Sequence, residues 1–249
     1  MSAASAFVHE IFASIQGEGI YVGKPQVFVR FAGCNLSCEY CDTPASLEAE
    51  PAFCSVEQNP GCGDFAFMQN PMAAHDIVEA VEQLSISRDV SITGGEPLMQ
   101  AGFLAKLLPM LRSKGFRIHL ETNGTMPEEM AGLAGFIDVV AMDFKLPSAS
   151  GGVDCFDLHE KFLRSVVGAK VFVKMVVTSD VTDDEIRHAV KIILDSGKNV
   201  PFVIQPVSVT AEGIKPPTLA RLLEIFLAAS ERLEDVRIMP QMHRFMAIR

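Results

Sequence analysis

Short β-rich runs alternate with amphipathic stretches along most of the chain, and this alternation constrains the fold more than any other feature. Strands are predicted at 26–33, 89–95, 116–124, 136–144, 170–179, 201–207 and 235–241, with helices at 74–86, 101–114, 127–134, 155–167, 182–196 and 216–232. The segment 182–196 carries clear helix punctuation. It opens on Thr182 and early acids, places Ile186, Val190, Ile193 and Leu194 on one face, and stops at Gly197. Such alternation builds a parallel sheet with right-handed crossovers, as an open sheet or a barrel. One stretch breaks the rhythm. Residues 48–73 are rich in Pro, Gly and Asn without clear period, and read as a long loop inserted in the first crossover.

With 249 residues and 49% hydrophobic content, the chain has enough apolar material for one larger α/β domain, taken as 1–249. Its formal charge of −10 gives no electrostatic case for a nucleic-acid partner. The first sixteen residues lack a basic region, and His9 and Glu10 interrupt them, so no secretory signal is expected. Apolar stretches are broken by Asp or Lys short of a membrane span. A cytoplasmic setting follows as an expectation, and there six cysteines point to metal or redox chemistry before disulfides.

The unusual residues fall at the carboxyl ends of the predicted strands. "GCNLSCEYCDT" follows the first, "GGEP" (94–97) the second, "ETNG" (121–124) the third and "DFK" (143–145) the fourth; "TSD", "QP" and "PQMH" follow the later ones. That rim is where ligands bind in parallel sheets and barrels. Each motif alone reads equally well as a turn. Their shared address points to an enzyme.

Cys34, Cys38 and Cys41 form a C-x3-C-x2-C pattern on one loop. Structural zinc takes four ligands, and Cys54 and Cys62 stand as candidates to complete such a site. A 4Fe–4S cube held by three thiolates leaves one iron open to a small molecule. The spacing, Tyr40 before the last cysteine, and the downstream "GGEP" resemble the radical S-adenosylmethionine superfamily. The resemblance implies a partial, modified (β/α) barrel of roughly six parallel strands with flanking helices. It also implies a 4Fe–4S cluster on the three cysteines whose open iron is chelated by S-adenosylmethionine.

Within that superfamily, "SIQGEG", "CDT" and the closing "MPQMHRF" are similar to the 7-carboxy-7-deazaguanine synthases of deazapurine (queuosine) biosynthesis, over nearly the whole chain. Those enzymes turn 6-carboxy-5,6,7,8-tetrahydropterin into 7-carboxy-7-deazaguanine with loss of ammonia. A deoxyadenosyl radical takes the substrate C6 hydrogen and receives it back, so S-adenosylmethionine is not consumed. The resemblance assigns S-adenosylmethionine to Gly94, Gly95 and Glu96, to Asp143, Phe144 and Lys145, and to Gln205, Pro206 and Val207. Relatives often carry Ser-Pro-Lys at 143–145, so "DFK" departs there. Thr43 is expected as a Mg²⁺ ligand; without the resemblance its position reads as a helix N-cap.

Substrate contacts are expected at Ile15, Gln16, Gly17, Glu18, Arg30, Thr93, His243 and Arg249. Arg30 lies inside an apolar strand, where a guanidinium needs an anion, and its fork suits a carboxylate. A salt bridge to a neighbouring acid is the alternative. Gln16 and Glu18 offer the donor and acceptor pattern of a pterin edge, and His243 also reads as a satisfied, partly buried imidazole. A homodimer and a flavodoxin-like or ferredoxin-like reductant are further implications, with the 48–73 insertion covering the cluster or docking the reductant. Two other functions stay open: a glycyl-radical activase acting on a protein, and a zinc-stabilised binding module without catalysis.

Overall fold

The computed structural model describes residues 4–208 and 213–248. The chain opens with the two-residue strand β1 (Ser5–Ala6), then β2 (Val8–Ile15) and β3 (Pro25–Phe31). Next come β4 (Phe53–Glu57), β5 (Phe65–Gln69) and the short β6 (Met72–Ala73), which pairs with β1. Strand and helix then alternate. They run α1 (Ala74–Leu84), β7 (Asp89–Gly94), α2 (Ala101–Ser113), β8 (Arg117–Thr122), α3 (Pro127–Leu133) and β9 (Val139–Phe144). They continue with α4 (Phe156–Ser165), β10 (Lys170–Val177), α5 (Asp183–Asp195), β11 (Phe202–Pro206), α6 (Leu219–Ser230) and β12 (Val236–Ile238). The last element is α7 (Met242–Phe245).

The main sheet has the order β12-β11-β10-β9-β8-β7-β3-β2-β4-β5. Strands β3 and β7 through β12 all run parallel, one more than the six expected. The two end strands do not pair with each other, so the sheet curves as an open, partial barrel. All six predicted helices form. Thr182 caps α5 through a reciprocal capping box with Glu185, as its sequence signals require.

Strand alternation then sorts side chains onto two faces. The outer face is apolar and lies under the helices: Val27, Val29, Ile92, Leu120, Val140, Met142, Val173 and Met175 are all fully or almost fully buried. The inner face carries Arg30, Ser91, Thr93, His119, Glu121, Asp143, Lys174 and Gln205, which adjoin one another through the strand registers. Strands buried on both faces ordinarily read as continuous apolar runs. Polar residues at every second position therefore mark the inner face as a site.

The expected 48–73 loop is a correction. It holds the hairpin β4–β5, which extends the sheet beyond β2. Alternation in "FCSVE" explains it, since Cys54 and Val56 face the core while Phe53 and Ser55 point away. The register also removes the zinc alternative built on these cysteines. Cys54 is fully buried, with its thiol pushed up to about 12 by burial and the Glu10 carboxylate. Cys62 lies in the hairpin turn, past the pairing of Ile11 with Val56 and so toward the end of β2 where Ile15 meets Pro25. That is the end of β3 away from the three-cysteine loop. Among the described residues, no helix is long and apolar enough to cross a membrane.

Candidate active site

A cavity of about 610 Å³ occupies the inner face of the sheet. Cys34, Cys38 and Cys41 line one side of it. Burial pushes the Cys34 and Cys38 thiols up, and the nearby Lys145 ammonium opposes that shift. The three sulfurs are not gathered within 4.8 Å of one another, the spacing a single ion would need; among the described residues only Glu18, Asp42 and His243 meet that spacing. Three thiolates on one loop are one short of the four ligands structural zinc takes, and would leave one iron of a cubane open.

The "GGEP" loop packs directly on this cysteine loop. A Cβ at Gly95 would lie 2.2 Å from the Gly33 carbonyl oxygen and 2.8 Å from Cys34 Cβ. Gly94, at φ +148°, would put a Cβ 2.3 Å from the Phe31 carbonyl oxygen. Glycine is thus the residue both positions accept. The cavity wall beside them carries two buried acceptors without a hydrogen-bond partner, Asp143 Oδ1 and Gln205 Oε1. Such atoms are costly unless a ligand's hydroxyl or amine meets them.

A chain of charges crosses the cavity. Lys174 Nζ contacts Glu18 and lies 3.2 Å from Asp143 Oδ2; Lys145 Nζ reaches the same oxygen at 2.9 Å and donates to Tyr40 Oη at 3.0 Å. Burial alone would raise Asp143, but the Lys145 and Lys174 ammonium groups outweigh it and hold the carboxyl below its ordinary range. Glu18 also accepts from Gln205 Nε2 at 3.1 Å and Gln241 Nε2 at 2.8 Å. With an ammonium and two amides already on Glu18, the trio of Glu18, Asp42 and His243 is a satisfied polar cluster rather than a cation site.

A second network lies deeper. Gln16 Nε2 donates to Glu121 Oε1 at 2.8 Å, as does Ser91 Oγ, while Thr93 Oγ1 donates to Glu121 Oε2 at 2.9 Å. Burial would raise Glu121, yet His119 and these donors more than offset it and keep it ionised. The segment after β2 turns inward over this network, with the Tyr21 ring 5.1 Å from His119 and 6.0 Å from Phe172.

The C-terminal segment packs on the same loop. Met242 N donates to the Gly17 carbonyl at 2.8 Å, and a Cβ on Gly17 would meet His243 Cβ at 2.5 Å.

The sequence model of the radical SAM superfamily matches residues 28–193. The chain is 41% identical to the 7-carboxy-7-deazaguanine synthase of Geobacter sulfurreducens, over 99% of both chains. It is 34% identical to that of Methanocaldococcus jannaschii, covering 97% of this chain and 99% of that one. The chain belongs to the 7-carboxy-7-deazaguanine synthase family. QueE from Escherichia coli shares its fold at a TM-score of 0.63, covering 97% of this chain and 96% of that one at 22% identity.

Most residues expected from the family resemblance converge on the cavity. Ile15, Gln16, Gly17, Glu18, Arg30, Thr43, Thr93, Gly94, Gly95, Asp143, Lys145, Gln205, Val207 and His243 all line it with the three cysteines. Arg30 makes the salt bridge of its alternative reading, Nε donating to Glu10 at 2.8 Å, with its guanidinium 5.8 Å from the centre of the Phe12 ring and on the cavity wall. Thr43 sits at an N-cap position, yet its side chain makes no capping bond.

Three expected residues are not among those lining the cavity. Phe144 is on the outer face, one residue out of phase with Asp143, and packs 4.2 Å from the His159 ring. Pro206 is out of phase with Gln205 in the same way. Glu96 is fully buried beneath the loop, where its carboxylate accepts from Leu98 N, Thr122 Oγ1 and Asn123 N at 2.7–3.0 Å. It ties "GGEP" to "TNG" and leaves Gly94 and Gly95 to line the cavity. Arg249 lies outside the described residues.

Sequence reasoning missed Lys174, Glu121, Asp42 and Gln241. Lys174 carried a usable signal, a lone cation at an alternate position in the apolar run "KVFVKMVV". That is the pattern that singled out Arg30.

Proposed function

We propose that this chain converts 6-carboxy-5,6,7,8-tetrahydropterin to 7-carboxy-7-deazaguanine with release of ammonia. The observation that carries the reading is one cavity in which a three-cysteine loop faces Gln16, Glu18, Arg30, Thr93 and His243. The nearly full-length likeness to curated synthases supports it. Cys34, Cys38 and Cys41 would hold a 4Fe–4S cluster, and the backbone of Gly94 and Gly95 with Asp143, Lys145, Gln205 and Val207 would hold S-adenosylmethionine. When bound, that pair supplies a 5′-deoxyadenosyl radical. Asp143 Oδ1 and Gln205 Oε1 are the unfilled acceptors that suit its amine or ribose hydroxyls.

The protein's own part is recognition and orientation. Arg30, tethered through Nε by Glu10, presents its remaining fork to the pterin carboxylate. Glu18 accepts from the N–H edge of the pyrimidine ring, with Lys174 keeping that carboxylate aimed. Gln16 and Thr93 are both fixed by Glu121 and bound the ring from the sheet side. His243 and Gln241 close over it, anchored on Gly17 and Glu18. Thr43, with its hydroxyl not used as a cap, is the candidate Mg²⁺ ligand beside the substrate carboxylate. Glu96, Phe144 and Pro206 act behind the cavity, shaping its loops. The chain works in the cytoplasm as a homodimer, with a flavodoxin-like or ferredoxin-like reductant.

The test is anaerobic turnover of reconstituted, reduced protein with the carboxytetrahydropterin, Mg²⁺ and S-adenosylmethionine. Mass spectrometry is expected to find the deazapurine and ammonia. Uncoupled deoxyadenosine with unchanged pterin would reject the substrate assignment.

A further inference from the structure

The rim motif "TNG" (122–124) closes β8, and its Asn123 commits every polar group inside the protein. The main-chain N–H donates to Glu96 Oε2 at 2.7 Å, and the carbonyl accepts from His159 Nε2 at 3.1 Å. The side-chain amide closes a ring of three residues. Asn123 Nδ2 donates to Asn35 Oδ1 at 2.8 Å, Asn35 Nδ2 to Thr125 Oγ1 at 2.8 Å, and Thr125 Oγ1 to Asn123 Oδ1 at 2.6 Å. Donors that run head to tail in this way strengthen one another. Asn123 and Thr125 are both buried, so the ring stands on a fixed base.

What the ring holds is the cysteine loop. Backbone bonds from Gly95 to Phe31 and from Glu96 to Gly33 fix the start of that loop. Past Gly33 the anchoring changes. Among the described residues from Cys34 to Glu39, Asn35 alone makes hydrogen bonds that leave the loop, while Leu36 N points back to Cys34 Sγ at 3.5 Å. Cys34 and Cys38 therefore sit on a stretch with one polar anchor. That anchor and Glu96 meet on the same residue, since Asn123 takes the cysteine loop on its side chain and "GGEP" on its backbone. We propose that Asn35, Thr125 and Asn123 are positioning residues that align the open iron with the Gly94–Gly95 loop, so that S-adenosylmethionine spans the two. Asn35 and Thr125 are not among the residues lining the cavity, so their effect passes through Cys34 and Cys38. The inference rests on the reading that these cysteines hold the cluster and that Gly94 and Gly95 meet the cofactor.

The test titrates reduced, anaerobic holoprotein with S-adenosylmethionine and follows the cluster's electron paramagnetic resonance signal. Asn35→Ala opens the ring at an exposed residue and should melt with the parent. Thr125→Val opens it by removing one hydroxyl, and keeps the main-chain N–H that donates to Asn123 Oδ1 at 3.1 Å. Both variants are expected to keep about four irons per chain. Both should need at least about tenfold more S-adenosylmethionine for half-saturation, with the pterin KM within about twofold of the parent. Thr125→Ser restores the hydroxyl and the parental value. The double variant Asn35→Ala/Thr125→Val is no worse than Asn35→Ala, because both changes break one ring. Parental half-saturation in Asn35→Ala, an equal rise in the pterin KM, additive loss in the double variant, or Thr125→Ser no better than Thr125→Val overturns the proposal. Loss of iron from Asn35→Ala overturns it too, by showing that the ring retains the cluster and does not align it. A parent whose cluster signal ignores S-adenosylmethionine overturns the functional reading itself, whereas a responsive parent with indifferent variants overturns the ring alone.

Discussion

Replacing Lys174 by Met tests whether one buried ammonium holds the two halves of the cavity in register. The variant keeps an apolar stem of similar length and loses the cation between Glu18 and Asp143, whose side chains are 20% and 17% exposed. Asp143 still has Lys145 at 2.9 Å, whereas Glu18 is left with two amide donors. Removing one partner of a buried pair costs roughly 3–5 kcal/mol, and residual exposure here places the cost near the lower end, about 3 kcal/mol. At about 2–4 °C per kcal/mol for a chain of this size, the melting midpoint falls by roughly 6–12 °C. The double variant Glu18→Gln/Lys174→Met recovers much of that loss, because the stranded carboxylate is gone as well. In turnover, a charge-assisted bond to the pterin edge is worth about 1.5–3 kcal/mol. The KM for pterin therefore rises about 10–150-fold, and more than the KM for S-adenosylmethionine. Thermal melts and steady-state kinetics under anaerobic conditions read both numbers. A Lys174→Met protein with parental melting and parental KM, or a double variant no better than the single, would refute the reasoning.

Replacing any one of Cys34, Cys38 and Cys41 by Ala should abolish iron loading, whereas Cys54→Ala, Cys62→Ala and Cys155→Ala should keep about four irons per chain by colorimetric assay. Gly17→Ala drives a methyl into His243, 2.5 Å from its Cβ, and should raise the pterin KM at least about tenfold with little change in melting. Burial lifts Glu96 to about 7 and, with Asn123 opposing, drops His159 to about 4. The raised carboxyl stabilises the fold below about pH 4.5 and loses that contribution as pH rises through 7; the lowered imidazole stabilises above about pH 6.5 and loses it as pH falls through 4. The two offset in the window between, so Glu96→Gln should make urea stability rise between pH 4.5 and 6.5 by about 2 kcal/mol more than in the parent. An unchanged slope would show that Glu96 is already ionised there.

Element order and the rim position of the motifs were legible because period and punctuation are local properties. The capping of α5 by Thr182 and Glu185 needs nothing beyond four adjacent residues. The β4–β5 hairpin was not legible. Its strands are five residues long, flanked by Pro, Gly and Asn, and exist because β2 offers an edge to pair with. Motif membership also overstated the site in a regular way. Phe144 and Pro206 lie next to cavity residues in sequence, but a strand turns alternate side chains away, so adjacency misleads where period informs. Glu96 is absent from the cavity wall for a different reason. Its carboxylate is consumed by donors from "TNG", a contact across 27 residues that no local pattern announces. Lys174 and Glu121 share one lesson: a charge at an alternate position of a central apolar strand belongs to whatever that inner face encloses.

The central claim is that this cavity rearranges a pterin by removing and returning the hydrogen at C6. Turnover of substrate deuterated at that carbon, followed by mass analysis of the recovered S-adenosylmethionine, tests it most directly. The account predicts deuterium in the recovered cofactor, with the cofactor consumed far below the amount of deazapurine formed. Unlabelled cofactor alongside deazapurine formation, or one cofactor lost per product, would contradict it.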